Sequence, residues 1–359
     1  MTINDMKVKF MKKYSERILY AMPYQLLAMK IPKRVTIEPT NYCNLRCPLC
    51  PTNTTMDRQR GGMTLENFKF IVDSLHHKTE YIDLFLAGEP LLNSLWAKMT
   101  RYAADKGKKV MISTNATFLD KYIDDVFSSG LNKLMLAIDG ATEETYLKYR
   151  VNGDFDRSIN AIKKLCDRKK ELNAVKPDLV LQFIVMKHNE HEIPAIIKLG
   201  EELGVDRVEM KSVSLNSLKT EDEKMKIKDD WLPTNEEYSR YTVEGSRIKI
   251  KHDPNYCYWI WSSVIHWNGN ITTCCYDFNG DHTFINVFKM NGYQNAWKSK
   301  EYGKVRRAML KRDLKLCKTC NISDGYYTKS IEFNKPKEIV IAIEERPRKF
   351  AEKMLSLLF

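Results

Sequence analysis

The sequence predicts an α/β protein, a partial barrel of parallel strands and helical crossovers followed by a smaller α+β part. Three observations carry this. From Arg34 to Val213 one pattern repeats six times, a short β-branched apolar run, a loop and a helical stretch, and such alternation gives parallel strands joined by right-handed crossovers. Unusual residues collect just after the apolar runs, at the strand ends where barrels of this kind carry their chemistry. Beyond residue 247 the alternation stops, and four more ligand-type cysteines gather around a hairpin signal.

The runs are Val35–Glu38, Tyr81–Leu86, Lys109–Ser113, Lys133–Ile138, Leu179–Met186 and Arg207–Val213. Helical spacing fills Leu65–Leu75, Leu95–Lys106, Asp120–Ser129, Ser158–Leu172 and Ile193–Leu203, so the barrel is expected over 34–215. Ahead of it, residues 1–33 mix basic and apolar groups at helical spacing. They read as a helix capping the barrel, although a helix lying on a membrane surface has the same pattern. Residues 216–247 turn polar and charged, notably from Lys219 to Asp230, and read as a surface linker. The α+β part is expected over 248–330 and a tail over 331–359.

The 359 residues suffice for one large barrel and an appendage. Lys and Arg outnumber Asp and Glu 58 to 46, and the pI is near 9.1, which favours anionic partners without choosing among them. No apolar run is long enough to span a membrane, and residues 1–29 are too charged for a secretory signal. Nine cysteines without such a signal point to a reducing compartment, with the cytoplasm expected, and to metal ligation rather than disulfides.

After the first run stand Cys43, Cys47 and Cys50, three soft ligands on one loop that suit zinc or an iron–sulfur cluster. Gly88-Glu89-Pro90 ends the second run, Ser113-Thr114-Asn115 the third and Asp139-Gly140 the fourth. Gly88 permits close backbone approach, Pro90 stiffens the turn, and Glu89 offers a carboxylate or a carbonyl. In the second part Cys257 and Cys274 flank a hairpin with Asn268-Gly269 at its turn. A helical stretch from Gln294 to Lys311 leads to Cys317-Lys-Thr-Cys320. Four thiolates close a site completely, and the residues alone leave zinc and a cluster both open. Cys166 sits in a helical pattern and reads as core.

The C-x3-C-x2-C spacing resembles that of the radical S-adenosylmethionine (SAM) family. That resemblance implies an open (β/α)6 TIM-like barrel and a [4Fe-4S] cluster whose open iron chelates SAM, which an electron cleaves to a 5′-deoxyadenosyl radical. It implies SAM contacts from Gly88, Glu89, Pro90, Ser113, Asn115, Asp139 and Arg150. Two positions depart: Leu49 stands where an aromatic residue is usual, and Ala137 lacks the serine hydroxyl of many relatives. Cys257, Gly269-x4-Cys274 and the C-x2-C pair resemble a Twitch domain, the shortened relative of the SPASM domain. This implies Cys257, Cys274, Cys317 and Cys320 as ligands of an auxiliary [4Fe-4S] cluster, and two clusters in all.

The expected reaction is hydrogen abstraction from a small polar substrate, sugar-like or phosphorylated, and its oxidation with the auxiliary cluster's help. Asp277 or His266 is the candidate base. Cys275 is a candidate hydrogen-atom donor should the outcome be epimerisation. Lys187, His188 and Lys211 are candidates for an anionic group, and an external electron donor such as flavodoxin or ferredoxin is expected. The short stretch before the first run favours a metabolite over the alternative, a peptide maturase. A non-enzymatic metal module on nucleic acid or membrane is the third reading; no nucleic acid is expected.

Overall fold

The computed structural model describes residues 30–333, except 217, 219, 252–256, 283–284, 319 and 321–327. The expected N-terminal helix and most of the tail lie outside the described residues. Six parallel strands, β1 (Arg34–Ile37), β2 (Tyr81–Asp83), β3 (Lys109–Thr114), β4 (Lys133–Ala137), β5 (Asp178–Val185) and β6 (Arg207–Ser212), pair in sequence order. Their register runs unbroken from Val35 opposite Ile82 to Val185 opposite Ser212. The connecting helices are α1 (Pro51–Thr54), α2 (Leu65–Asp73), α3 (Trp96–Asp105), α4 (Ile123–Ser128), α5 (Glu143–Tyr149), α6 (Phe155–Glu171) and α7 (Ile193–Leu203).

Side-chain alternation sets the layers. In β6, Val208, Met210 and Ser212 are buried while Arg207, Glu209 and Lys211 are only half-buried. The apolar set joins Leu134, Leu136, Leu181, Phe183 and the helical residues Ile162 and Ile196 in one core. The polar set therefore faces the opposite, concave side of the sheet, the barrel lumen. Local signals start and stop the helices: Thr64 caps α2 and Asp154 caps α6, each accepting a backbone N–H, and Gly204 ends α7 in the left-handed region at φ +86°.

The segment expected as a linker carries α8 (Glu221–Trp231), opened by a reciprocal capping box of Thr220 and Glu223, and the hairpin β7 (Tyr241–Glu244) and β8 (Arg247–Ile250). Leu232, Tyr241 and Ile248 pack with Leu45, Cys47, Leu49, Tyr149 and Met186, so this segment roofs the first cysteine loop. The second part is also less separate than its sequence suggests. Strand β9 (Val264–Ile265) lies parallel beside β1, followed outward by antiparallel β10 (Asn270–Thr272) and β11 (Ile285–Asn286). The helical stretch divides at Ser299 into α9 (Tyr293–Lys298) and α10 (Lys300–Leu310), and α11 (Lys315–Lys318) carries Cys317. On the far edge β12 (Thr328–Glu332) runs antiparallel to β6 and crosses the 330/331 boundary expected for the tail. Among the described residues no helix is long and apolar enough to cross a membrane.

Candidate active site and cysteine centres

The first cysteine loop is tied down from several sides. Arg60 donates to the carbonyls of Asn41 (2.7 Å) and Thr52 (2.5 Å), one on each flank of the loop. The Gly88–Pro90 turn lies against it: Glu89 N donates to the Tyr42 carbonyl at 2.7 Å and Gly88 N to Thr52 Oγ1 at 3.3 Å. Gly88 has φ +79°, and a Cβ there would stand 2.5 Å from that same Tyr42 oxygen, so only glycine fits. From strand three, Asn115 Nδ2 donates to Asn44 Oδ1 at 2.9 Å.

Glu89 is 2% exposed. Its Oε1 accepts from Thr114 Oγ1 (2.7 Å) and Leu91 N (3.0 Å), and its Oε2 from Asn115 N (2.7 Å). Burial raises its pKa, and these three donors pull the other way. The carboxylate thus fastens strand two to strand three, leaving backbone carbonyls as what the turn can offer a ligand. Asn115 Oδ1 accepts from Thr117 N, an Asx turn, while Ser113 is half-buried on the lumen side of β3.

Asp139 is fully buried; Oδ1 accepts from Ile184 N at 2.7 Å and Oδ2 stands 2.5 Å from Arg150 Nη2. Burial raises the Asp139 pKa, opposed chiefly by Arg150. Burial by itself would lower the Arg150 pKa, yet Asp139 and then Cys47 outweigh it and the guanidinium stays charged. Arg150 Nη1 reaches Cys47 Sγ at 3.9 Å, which places one cation between the strand-four carboxylate and the cysteine loop.

Cys43, Cys47 and Cys50 share one cluster of side chains. Burial pushes Cys43 up to about 12 and Cys47 up to about 11. The second group forms another apolar cluster: Cys274 and Cys317, with Cys257, Cys275 and Cys320 against them, beside Trp259, Ile260, Val264 and Met309. Burial pushes Cys257 and Cys317 up to about 12 and raises Cys274 and Cys275 further. None of the nine cysteines, all among the described residues, is in a disulfide. Among the described residues no three His, Cys, Asp or Glu side chains close on a single metal ion, so the fit to a cofactor rests on donor type and pooling. Soft, buried thiols that would be costly to ionise alone suit a cationic iron–sulfur group, which deprotonates its ligands outright. Both pools fit.

Near the second pool, Asp277 is 3% exposed and has both oxygens engaged, by Thr273 Oγ1 (3.2 Å) and Asp281 N (2.9 Å). Cys275 packs within the pool. Tyr276 reaches the barrel end, its hydroxyl 3.1 Å from Ser214 Oγ just past β6. His266 is 1% exposed with Nε2 unpartnered, and burial, then Arg58, lowers its pKa to about 3. The anion candidates are not equivalent. Lys187 is exposed; His188 packs edge-on to Trp231 and burial, then Lys148, lowers it to about 4. Lys211 Nζ donates to Gln182 Oε1 at 2.6 Å and stands 3.9 Å from Glu209. Sequence alone does not single out Arg58 and Glu38, a buried ion pair within the barrel half that borders the second cysteine region.

A radical SAM superfamily model matches residues 37–200, and a SPASM iron–sulfur cluster-binding domain model matches 257–321. The AdoMet-dependent heme synthase of Methanosarcina barkeri is 30% identical over 175 residues, 48% of this chain and 48% of that protein. The match therefore spans about half of that relative's length. A Pyrococcus furiosus protein described as a tungsten-containing aldehyde ferredoxin oxidoreductase cofactor-modifying protein is 24% identical over 77% of this chain and 79% of its own. Among solved structures, Streptococcus suis SuiB bound to its precursor peptide SuiA superposes with TM-score 0.57 at 16% identity, covering 82% of this chain and 72% of SuiB; this likeness is one of fold.

Proposed function

We propose that this chain, a radical SAM enzyme with a C-terminal SPASM domain, oxidises a small polar, anionic molecule held in the barrel lumen. The observation that carries the reading is the lumen wall of strands four to six. Barrel interiors of this kind are ordinarily filled by branched apolar side chains. Here Lys133, Asp178 and Arg207, the first residues of their strands, and Gln182, Glu209 and Lys211, further towards the carboxyl ends, face inward, all half-buried. Lys133 Nζ reaches Glu209 Oε1 at 3.0 Å, and Arg207 joins Asp178 (2.7 Å) to Glu209 (3.1 Å). Three cations stand against two carboxylates. An arriving phosphate or carboxylate is well placed to take Lys211 from Gln182, exchanging a neutral acceptor for a charged one. The heme synthase and cofactor-modifying relatives, named for small molecules, lend support.

Cys43, Cys47 and Cys50 are the residues to hold the first cluster. Carbonyls of Gly88, Glu89 and Pro90, with Ser113, Asn115, Asp139 and Arg150, are the candidate contacts for SAM. When bound, SAM and the cluster supply the 5′-deoxyadenosyl radical. Cys257, Cys274, Cys317 and Cys320 would hold the auxiliary cluster as electron acceptor, with an external donor such as flavodoxin or ferredoxin priming the first. Seven of nine cysteines in two ligand-like groups suit a reducing compartment such as the cytoplasm. Asp277 is the candidate proton acceptor, with His266 behind it, and Cys275 the hydrogen donor should the product be an epimer.

Substrate affinity measured against salt tests the anionic reading: binding should weaken as ions screen the lumen charges, and Lys211→Gln should flatten the response. A salt-independent affinity counts against it. In deuterium oxide, a ketone product impaired by Asp277→Asn and not by Cys275→Ala supports oxidation. Solvent deuterium on a product carbon, lost in Cys275→Ala, means epimerisation instead.

A further inference from the structure

We propose that Arg58 is a positioning residue that locks the Cys274–Asp277 turn against the Cys43–Cys50 loop and so holds the two cysteine groups at one separation. Arg58 follows Cys50 by eight residues in the barrel half. Its Nε donates across to the carbonyl of Phe278, next after Asp277, at 2.6 Å. Its Nη1 donates to Glu38 Oε2 at 2.9 Å and Nη2 to Glu38 Oε1. Glu38 directly follows β1 with its side chain wholly buried, and it also accepts from Trp267 N, at 3.2 Å, in the β9–β10 turn. One guanidinium thus joins strand one, the chain that follows the cysteine loop, and the second cysteine region.

The surroundings repeat the connection. Asn279 Oδ1 accepts from Asp57 N at 3.1 Å, and its Nδ2 donates to the Thr55 carbonyl at 3.0 Å. The Trp267 ring lies on Gly61, where a Cβ would come within 2.4 Å of it. None of these groups belongs to the candidate SAM contacts or to the lumen. A buried ion pair is a poor source of stability, whereas a planar fork bonded through all three of its nitrogens fixes orientation. A purely apolar contact between the halves could slide; this one has a single register. Electron exchange between two centres depends steeply on their separation, and that gives the lock its purpose.

The inference rests on the reading that both cysteine groups hold clusters, and the test distinguishes the two. Three variants serve: Arg58→Gln; Arg58→Lys, which keeps a charge for Glu38 but not the fork; and Asn279→Ala, mild enough to fold whatever Arg58 does. Hydrogen exchange is measured on the protein before reconstitution, and iron content and magnetic coupling between the reduced clusters after it. In Arg58→Gln the Trp267 and Asp281 amides should exchange about 10- to 100-fold faster, with the amides of strands β3 to β5 unchanged. Arg58→Lys and Asn279→Ala should keep full iron yet show a broadened coupling. Unchanged exchange in Arg58→Gln and Asn279→Ala, or a coupling as sharp as wild type in Arg58→Lys with iron intact, overturns the proposal. Wild-type protein holding only half the iron sinks the two-cluster reading instead, and exchange alone then judges Arg58.

Discussion

The two cysteine regions are built on opposite plans. The first takes three thiols from one eight-residue loop and surrounds them with polar machinery: Arg150 on Cys47, Asp139 behind Arg150, and Glu89 and Asn115 on the neighbouring strand ends. The second draws four thiols from three separate stretches into a pocket walled by Trp259, Ile260, Val264, Met309 and Leu310. A centre that must receive a charged small molecule needs a missing ligand and nearby polar groups. A centre that only stores or passes an electron is better closed and apolar. The two regions thus differ in what surrounds the sulfurs as much as in how many there are.

The largest expected effect separates the regions outright. Replacing Cys43, Cys47 and Cys50 by Ala should abolish 5′-deoxyadenosine formation and lower iron from about eight to about four per chain, read by iron and sulfide analysis; undiminished SAM cleavage would falsify the assignment. Next, Arg150→Met leaves Asp139 buried without its cation. It should cost about 3 to 5 kcal/mol in denaturant unfolding, and an unfolding midpoint equal to wild type would count against a charged pair there. Glu89→Gln retains the size but sets an amide against the donors of Thr114 and Asn115. A loss of about 1 to 3 kcal/mol is expected, and a stability equal to wild type would show the strand-two to strand-three fastening to be dispensable.

The smallest effect concerns His266 beside the second region. Its folded pKa, about 3, lies below the ordinary 6.5, so the unfolded chain binds the proton first. The neutral ring's contribution is complete above pH 6.5 and is lost as pH falls towards 3. Stability should drop by about 1 kcal/mol between pH 6.5 and 5.5 from this group, and His266→Phe should shallow that slope. An unaltered slope would mean that the ring is solvated.

Much of the barrel could be read from residues alone because its signals are local. β-branched runs, Gly88-Glu89-Pro90 and the C-x3-C-x2-C loop each lie within a few positions. Legibility failed where partners are distant. The pairing of β9 with β1 joins residues more than two hundred apart, and Arg58 and Glu38 acquire meaning only through each other and through Phe278. Lys211, a candidate for an anionic group, is held by Gln182, a partner the sequence does not place beside it. The helix of 221–231 had a readable signal in Thr220-x-x-Glu223, obscured by its many charges. Helix α5 likewise began at a readable cap, Thr142 ahead of two glutamates.

In the proposed reaction the first region cleaves SAM and the second serves the step after it. The most direct test is the ratio of product to 5′-deoxyadenosine in Cys317→Ala/Cys320→Ala, assayed anaerobically with the true substrate. The account expects 5′-deoxyadenosine to keep forming, at a reduced rate, while product disappears and the ratio falls towards zero. Product formed in the wild-type ratio would contradict it and leave the second cysteine region a purely structural one.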